Sequence, residues 1–326
     1  MKKLLRILLI LLVILIAAFF IFRTPDTDRT EMIAKYGNEA SQFLDDGSGG
    51  QIHYRDQGNK DGPVIVLIHG SNGHVQTWDA LIEMMQDEFR LISLDLYGHG
   101  LTGPNSTANY GAEAMISAVA KVLDQAEVEK AVWVGNSMGG WLSWRAALAV
   151  PDRVSGLVLV DASGAQAAEK VKPYLGARLA RSAIGQLLLP EITPRSLVKS
   201  SLEENYASPE LITEELVDRY WEMLRFPGNR RAAVDRAGVN REPDKWNDVG
   251  DIKVPVLLLW GDQDSVVPVS HGKAFDSAIP DSRLIVYPDA GHLPMEETPE
   301  QVARDIGIWV KANIDQAELV ETNGAE

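Results

Sequence analysis

The stretch Gly135-Asn136-Ser137-Met138-Gly139 restricts this chain more than any other part of it. It follows the apolar, β-branched run Ala131-Val132-Trp133-Val134 and leads into Gly140-Trp141-Leu142-Ser143-Trp144-Arg145-Ala146-Ala147-Leu148, which reads as a helix. A strand that turns into a helix within five residues leaves the central serine in a strained backbone, with its hydroxyl clear of the sheet. Glycines two positions to either side let strand and helix approach without Cβ clashes. Such a turn can present a nucleophile, but small-residue turns also occur in ordinary connections. A base, a carboxylate and oxyanion donors at workable places decide between the two.

The base candidate is His292, in Gly291-His292. A strand-like run, Arg283-Leu284-Ile285-Val286-Tyr287, and the turn Pro288-Asp289-Ala290 precede it. Thr298-Pro299-Glu300-Gln301 predicts a helix start, with Thr298 as N-cap, Pro299 first and Gln301 closing a capping box. His292 is therefore expected on a loop at the C-terminal end of a strand, where ligands gather in an α/β sheet. A lone loop histidine is more often simply solvated. The other five read as less suitable: His53 on an early strand, His69 ending a strand, His74 and His99 in Gly-rich loops, His271 after a turn.

The carboxylate candidate follows Val254-Pro255-Val256-Leu257-Leu258-Leu259, an apolar run of the kind buried on both faces of a sheet. In Trp260-Gly261-Asp262-Gln263-Asp264, Asp264 lies deeper in the loop than Asp262 and is better placed to hold an imidazole in one tautomer. Asp161, in Leu159-Val160-Asp161-Ala162, is the second candidate. The strand-like Val64-Ile65-Val66-Leu67-Ile68 ends in His69-Gly70-Ser71-Asn72-Gly73, a loop whose Ser71 N–H can pair with that of Met138 around an oxyanion. One such donor is worth roughly 2.7–4 kcal/mol of barrier. The order Ser137, Asp264, His292 is Ser…Asp…His.

With these parts in place the chain resembles the α/β-hydrolase superfamily, specifically its capped lipase, esterase and carbon–carbon hydrolase branch, over roughly residues 42 to 313. Further landmarks are Trp78, Asp95-Leu96-Tyr97-Gly98-His99-Gly100 and Gly140, which extends the elbow turn to Gly135-Asn136-Ser137-Met138-Gly139-Gly140. The resemblance implies Ser137 as nucleophile, Asp264 as acid, His292 as base, and the N–H groups of Ser71 and Met138 as oxyanion donors. It implies a mostly parallel central sheet flanked by helices, with an inserted helical cap. No metal or organic cofactor is called for. Gly98-His99-Gly100-Leu101-Thr102-Gly103 matches a dinucleotide pattern, but Pro104-Asn105-Ser106 prolong the loop where a helix would have to begin.

Residues 1–23 are a separate unit. From Leu4 to Phe22 the chain is apolar apart from Arg6, giving 19 residues or about 28 Å of helix. That approaches the hydrocarbon thickness of a bilayer. No small-x-small cleavage site follows, which favours an uncleaved transmembrane anchor over a signal peptide that would release a secreted protein. Lys2, Lys3 and Arg6 predict a cytoplasmic N-terminus and an extracytoplasmic catalytic domain, periplasmic in a Gram-negative source. The formal net charge is −15; because Lys2, Lys3, Arg6 and Arg23 are the ionisable groups of that segment, the remainder carries −19. Such a surface disfavours nucleic acid and anionic lipid as partners. The absence of cysteine excludes disulfides and acylation at a thiol.

The expected organisation is an anchor at 1–23, a linker at 24–41, core at 42–162, a strand-free helical cap at 163–250, core at 251–314 and an acidic, disordered tail at 315–326. Apolar positions from Tyr174 through Ile184 to Leu187-Leu188-Leu189, and the patch Tyr220-Trp221-Glu222-Met223-Leu224, are expected either to roof an apolar cleft or to pack cap onto core. The partner is then a small-molecule ester with a short-to-medium acyl or lipid-like chain. The alternatives are carbon–carbon bond hydrolysis of the meta-cleavage-product type and a non-catalytic binding protein on the same fold. Against the first stand His69-Gly70-Ser71-Asn72-Gly73-His74 and His292-Leu293-Pro294-Met295, which depart from that branch. Against the second, no triad member is missing. A perhydrolase side activity would use the same triad.

Overall fold

The apolar runs of the sequence become one eight-stranded sheet. A computed structural model describes residues 2–167, 169, 175–238 and 245–314; the expectations for Tyr174 and the tail 315–326 fall outside them. The strands are β1 (Ser41–Asp45), β2 (Gln51–Gly58), β3 (Val64–Ile68), β4 (Arg90–Leu94), β5 (Ala131–Asn136), β6 (Val154–Val160), β7 (Val256–Gly261) and β8 (Ser282–Tyr287). They lie in the order β1-β2-β4-β3-β5-β6-β7-β8. The β1–β2 and β2–β4 pairings are antiparallel, and all others are parallel.

Central strands of this sheet are buried on both faces, which suits their unbroken Val, Ile and Leu content and requires helices above and below. Alternate residues serve the two layers. Val66, Ile68 and Trp133 pack with Met115 and Val119 of the helix Ala112–Gln125 and with Leu142 of Met138–Ala149. Ile65, Leu67 and Val134 pack with Leu81 of Asp79–Met85 and with Val302 and Ile306 of Pro299–Asn313. Chain order reverses about β3, with β4 on one side and β5 on the other. Connections leaving β3 and β5 therefore diverge, and a crevice opens at the C-terminal ends of these strands. Residues 69–73 and 135–139 border it.

Between β6 and β7 the described residues hold the helices Leu175–Ala180, Ala183–Leu188, Arg195–Asn205, Glu214–Leu224 and Asn229–Gly238, and no strand. This insertion is seated on the loops at the C-terminal ends of the strands. Asn229 Nδ2 donates to Gly100 O (3.0 Å), Arg236 Nη1 to Gly98 O (2.9 Å) and Tyr220 Oη to Glu296 Oε1 (3.0 Å). Tyr206 Oη donates to the other oxygen of Glu296. The helix Lys2–Phe22 is long and apolar enough to cross a bilayer, and none of its most apolar stretch is buried in the protein. The stretch 24–41 is more ordered than a linker: it contains the helix Arg29–Tyr36, whose Asp28 cap accepts from Glu31 N at 2.9 Å.

The helix Pro299–Asn313 forms as expected, but without the capping box. Thr298 Oγ1 instead donates back to Pro294 O (3.1 Å), closing the short preceding helix Pro294–Glu297. The elbow is tightly crossed. A Cβ on Gly139 would fall on the carbonyl oxygen of Ile68, and one on Gly135 on the backbone of Gly139. Because backbone atoms of a central strand cannot yield, Gly139→Ala should cost more than about 2 kcal/mol. Gly307→Ala is the control, since its Cβ meets nothing nearer than Phe89 at 3.5 Å and a helical Gly→Ala change gains up to about 1 kcal/mol. Denaturant midpoints in mild detergent should move in opposite directions, and an unshifted Gly139→Ala midpoint would contradict the steric account.

Candidate active site

Ser137 has φ 52° and ψ −111°, a backbone conformation that a residue with a side chain adopts only under constraint. Both sides of it are tied. Its N–H donates to Val160 O (3.0 Å), and its carbonyl accepts from Trp141 N (3.0 Å), Ser163 N (3.0 Å) and Ser163 Oγ (3.1 Å). The helix Met138–Ala149 starts at the next residue, so the Met138 amide lies in its first turn, where N–H groups have no intrahelical acceptor. Ser137 is half-buried, whereas every residue of β5 is buried.

The second loop is set by His69. Its Nε2 accepts from Leu96 N (3.1 Å), which places the ring proton on Nδ1 to donate to Gly70 O (2.7 Å). Burial holds the His69 pKa below its usual value, so the ring stays neutral. The same Gly70 carbonyl accepts from Gly73 N (3.1 Å). With that carbonyl fixed, a trans peptide directs the Ser71 N–H the opposite way. Ser71 Oγ reaches Met138 Sδ (3.4 Å), so the two residues are neighbours across the crevice. Neither amide has an acceptor among the described residues. The structure thus brings Ser71 and Met138 together as two free donors beside Ser137.

His292 and Asp264 also meet. His292 Nδ1 and Asp264 Oδ2 are 2.7 Å apart and both residues are buried. Asp264 Oδ1 accepts from Val266 N (2.7 Å) and Val267 N (2.9 Å), which orients the carboxylate and leaves Oδ2 to the imidazole. The His292 backbone is clamped on two sides: its N–H donates to Asn205 O (2.7 Å) and its carbonyl accepts from Asn136 Nδ2 (3.0 Å). Asn136, the residue before Ser137, is a positioning residue that sequence reasoning passed over, although its place inside the elbow motif was a signal. Glu297 was missed as well. It accepts from Gly291 N (2.8 Å), Ala207 N (2.8 Å) and Ser208 N (3.2 Å), joining the histidine loop to the insertion. Ser137 Oγ itself makes no hydrogen bond among the described residues.

A sequence profile of the α/β-hydrolase fold matches residues 63–299. The chain belongs to the α/β-hydrolase fold family. An esterase from Thermogutta terrifontis is similar in structure, with a TM-score of 0.70 at 26% identity over 83% of this chain and 98% of its own. A meta-cleavage product hydrolase from Pseudomonas fluorescens IP01 gives 0.68 at 25% identity, over 82% and 96%. A membrane phospholipase A gives 0.73 over 96% of this chain and 99% of its own; at 22% identity that likeness speaks for the fold alone.

Further Ser, His and Asp side chains of this α/β-hydrolase fall elsewhere. His53 Nδ1 is 2.7 Å from Asp95 Oδ2 and its Nε2 is 3.0 Å from Ser41 Oγ, a hydrogen-bonded Ser–His–Asp string away from Ser137. It lacks the elbow: Ser41 opens an edge strand and already accepts from Asn38 N (3.0 Å), and His53 is fully buried. Burial works to raise the Asp95 pKa, but the His53 hydrogen bond and others outweigh it and hold the group low. Asp262 is turned away, accepting from Asp289 N (2.9 Å). Burial drives the His74 and His99 pKa values well down, leaving both rings neutral. In 98–103 the chain folds back on itself through Gly98 N to Gly103 O (2.5 Å), and the next helix begins only at Ala112. A cavity of about 430 Å³ lined by Tyr36, Arg55, Asp79 and Arg219 touches none of Ser137, Asp264 and His292.

Asp161 shares the interior with the pair. One ligand atom each of Asp161, Asp264 and His292 lies within 4.8 Å of the others. A cation could bridge such a spacing, but 2.7 Å between Nδ1 and Oδ2 is the length of a proton-filled N–H···O bond. Asp161 Oδ1 accepts from Gly261 N (3.0 Å) and the residue is fully buried. Burial first, and then the nearby negative charge of Asp264, push its pKa well above the ordinary carboxylate range. It is therefore neutral and adds no second charge behind the imidazole. The folded state keeps this proton at pH values where the unfolded chain has lost it, so stability falls as pH rises from the unfolded pKa towards the raised folded one. Asp161→Asn removes that titration, and the Tm difference between variant and wild type should move in the variant's favour as pH rises from 4 to 7. Parallel Tm–pH curves would refute a raised Asp161.

Proposed function

We propose that this α/β-hydrolase cleaves carboxylic esters through Ser137, His292 and Asp264. The observation that carries the reading is the strained serine set beside two acceptor-less amides, with an imidazole already paired to an oriented carboxylate. In the reaction His292 Nε2 takes the Ser137 proton as Oγ bonds to the ester carbonyl carbon. The Ser71 and Met138 N–H groups hold the resulting oxyanion. The C–O bond to the alcohol breaks as His292 returns the proton to that oxygen. Water, deprotonated by the same imidazole, then attacks the acyl-enzyme; the acid leaves and Ser137 regains its proton. Asp264 stabilises the imidazolium in each half. The hydroxyl has to close on Nε2 as substrate fills the cleft, a contact that tightens on binding in many hydrolases.

The proposed substrates are short-to-medium acyl or lipid-like esters. Likeness to an esterase supports the ester bond, and the apolar helix Lys2–Phe22 supports work at a membrane surface. In this reading that helix is an uncleaved anchor with Lys2, Lys3 and Arg6 on the cytoplasmic side and the sheet outside. Carbon–carbon bond hydrolysis is the second reading, favoured only by likeness to the meta-cleavage product hydrolase.

A fluorophosphonate probe should label the protein stoichiometrically, and Ser137→Ala should abolish labelling and lower ester turnover by about six orders of magnitude. Labelling that persists in the variant would sink the assignment. Across p-nitrophenyl esters of rising chain length, rates should climb beyond acetate and gain further with micelles. A preference for acetate without interfacial gain would remove the lipid-like part, and turnover of dienol-ketones alone would favour the second reading.

A further inference from the structure

Three observations outside the catalytic centre converge on one face of the insertion. The first concerns apolar surface. Beyond the first helix, eight large hydrophobic side chains are exposed among the described residues, and four of them, Leu179, Ile184, Leu187 and Leu188, lie within ten residues of one another. Ile184 is 72% and Leu187 74% exposed. These positions were expected to roof the cleft or to pack onto the core; they do neither and point outward. The second concerns charge. In a chain with 46 acidic residues, the stretch 175–190 contains none, and its ionisable groups are Arg178 and Arg181, both exposed.

The third concerns the chain immediately after the apolar helix Lys2–Phe22. Residues 23–27 form a strap bound to the insertion. Arg23 Nε donates to Glu191 Oε2 (2.8 Å) and Thr24 N to Glu191 O (2.9 Å). Thr193 N donates to Thr24 Oγ1 (3.0 Å), and Thr27 N to Arg225 O (2.9 Å). Arg225 Nε donates to Pro25 O (2.9 Å), and the buried Arg230 reaches Asp26 Oδ1 (2.7 Å). An exposed ion pair alone would hold little, but a series of backbone and buried contacts fixes the geometry. The end of the apolar helix is thereby held beside Glu191, three residues beyond Leu188.

We infer that the 175–190 segment rests in the head-group layer of a lipid bilayer, the one that holds Lys2–Phe22, so that the insertion rather than the sheet faces the membrane. Outward apolar side chains with arginines among them and no acid are the pattern of a helix lying in such a layer, its apolar face about 5–10 Å deep. Leu187 and Leu188 meet acyl chains while Arg178 and Arg181 meet phosphates. The rest of the acidic surface is held off an anionic bilayer, so zwitterionic lipid is the fitting partner. An ester is then drawn from the bilayer into the cleft beneath the insertion. The inference rests on the anchor reading given under the proposed function.

The chain has no cysteine, so single cysteines can be placed and labelled without background. Full-length Ile184→Cys and Leu187→Cys, with Val286→Cys and Ile308→Cys as exposed controls, would carry an environment-sensitive fluorophore in phosphatidylcholine vesicles. Nitroxide lipids should quench the first two at least threefold more than the controls. Equal quenching at all four sites overturns the inference. So does shielding at 184 and 187 that ignores nitroxide lipid and grows with protein density, because a second copy of the chain would then cover the face. Flotation separates the two readings: a chain that leaves the vesicles loses anchor and surface together, while one that floats with 184 and 187 in water loses only the surface. Ile184→Glu with Leu187→Glu should lower turnover of a vesicle-borne ester about tenfold and leave soluble p-nitrophenyl acetate unchanged; equal effects on both overturn the inference.

Discussion

The end of β3 and the elbow after β5 touch so closely that no side-chain atom fits between them. Gly139 lies against the Ile68 carbonyl, and a Cβ on Gly70 would meet Asn136 Oδ1 at 2.7 Å and Ser137 Cβ at 3.0 Å. This one compressed contact fixes most of the site. It holds Ser137 at a positive φ, sets the Ser71 amide beside the Met138 amide, and lets Asn136 extend to the His292 carbonyl. Strain of this kind, about 1–3 kcal/mol for a residue held in a sparsely populated region, survives only where surrounding structure over-determines it. Here parallel neighbours on both sides of β5 and a helix starting at Met138 do so.

Burial sorts the ionisable groups. Three buried histidines are kept neutral by lack of solvent, and His69 then works as an oriented hydrogen-bonding ring rather than a charge. Asp161 is kept neutral by the same effect, joined by the field of Asp264. The Ser41–His53–Asp95 string shows that residue type and hydrogen-bond order alone do not build the setting found around Ser137. Ser41 sits in an edge strand with its hydroxyl already engaged, whereas Ser137 stands at a helix start with free amides beside it. What separates them is backbone geometry.

The helical insertion has two attachments with different consequences. Asn205, Tyr206, Ala207 and Ser208 are bound to the histidine loop through the His292 amide, Glu296 and Glu297. Burial raises the pKa of Glu296, and its two tyrosine partners give it hydrogen bonds in place of water. This part of the insertion is tied by these hydrogen bonds to the loop that carries His292. On its other side the insertion receives the strap at residues 23–27. Attachment of the apolar helix and orientation of the imidazole therefore pass through one packed body.

Periodicity and turn chemistry made the sheet, its flanking helices and the strand-free insertion legible in the sequence. Central strands advertise burial on both faces by unbroken Val, Ile and Leu, and a glycine pair can announce a turn that no other residue fits. The placement of Ser137, Asp264, His292, Ser71 and Met138 was legible for the same reason, since each lies where a strand ends and a loop begins. Other features depended on contacts between segments far apart in the chain. The neutrality of Asp161, the Asn136 and Glu297 clamps, the Thr298 hydroxyl that closes a different helix and the strap on Arg230 all depend on which distant groups arrive alongside. So does the outward face of Ile184 and Leu187, because apolar spacing along a helix says that one side is apolar but not what that side meets. Local sequence determined the elements and the turn geometry; only the tertiary structure decided the electrostatic partners and the direction in which the insertion presents its apolar side.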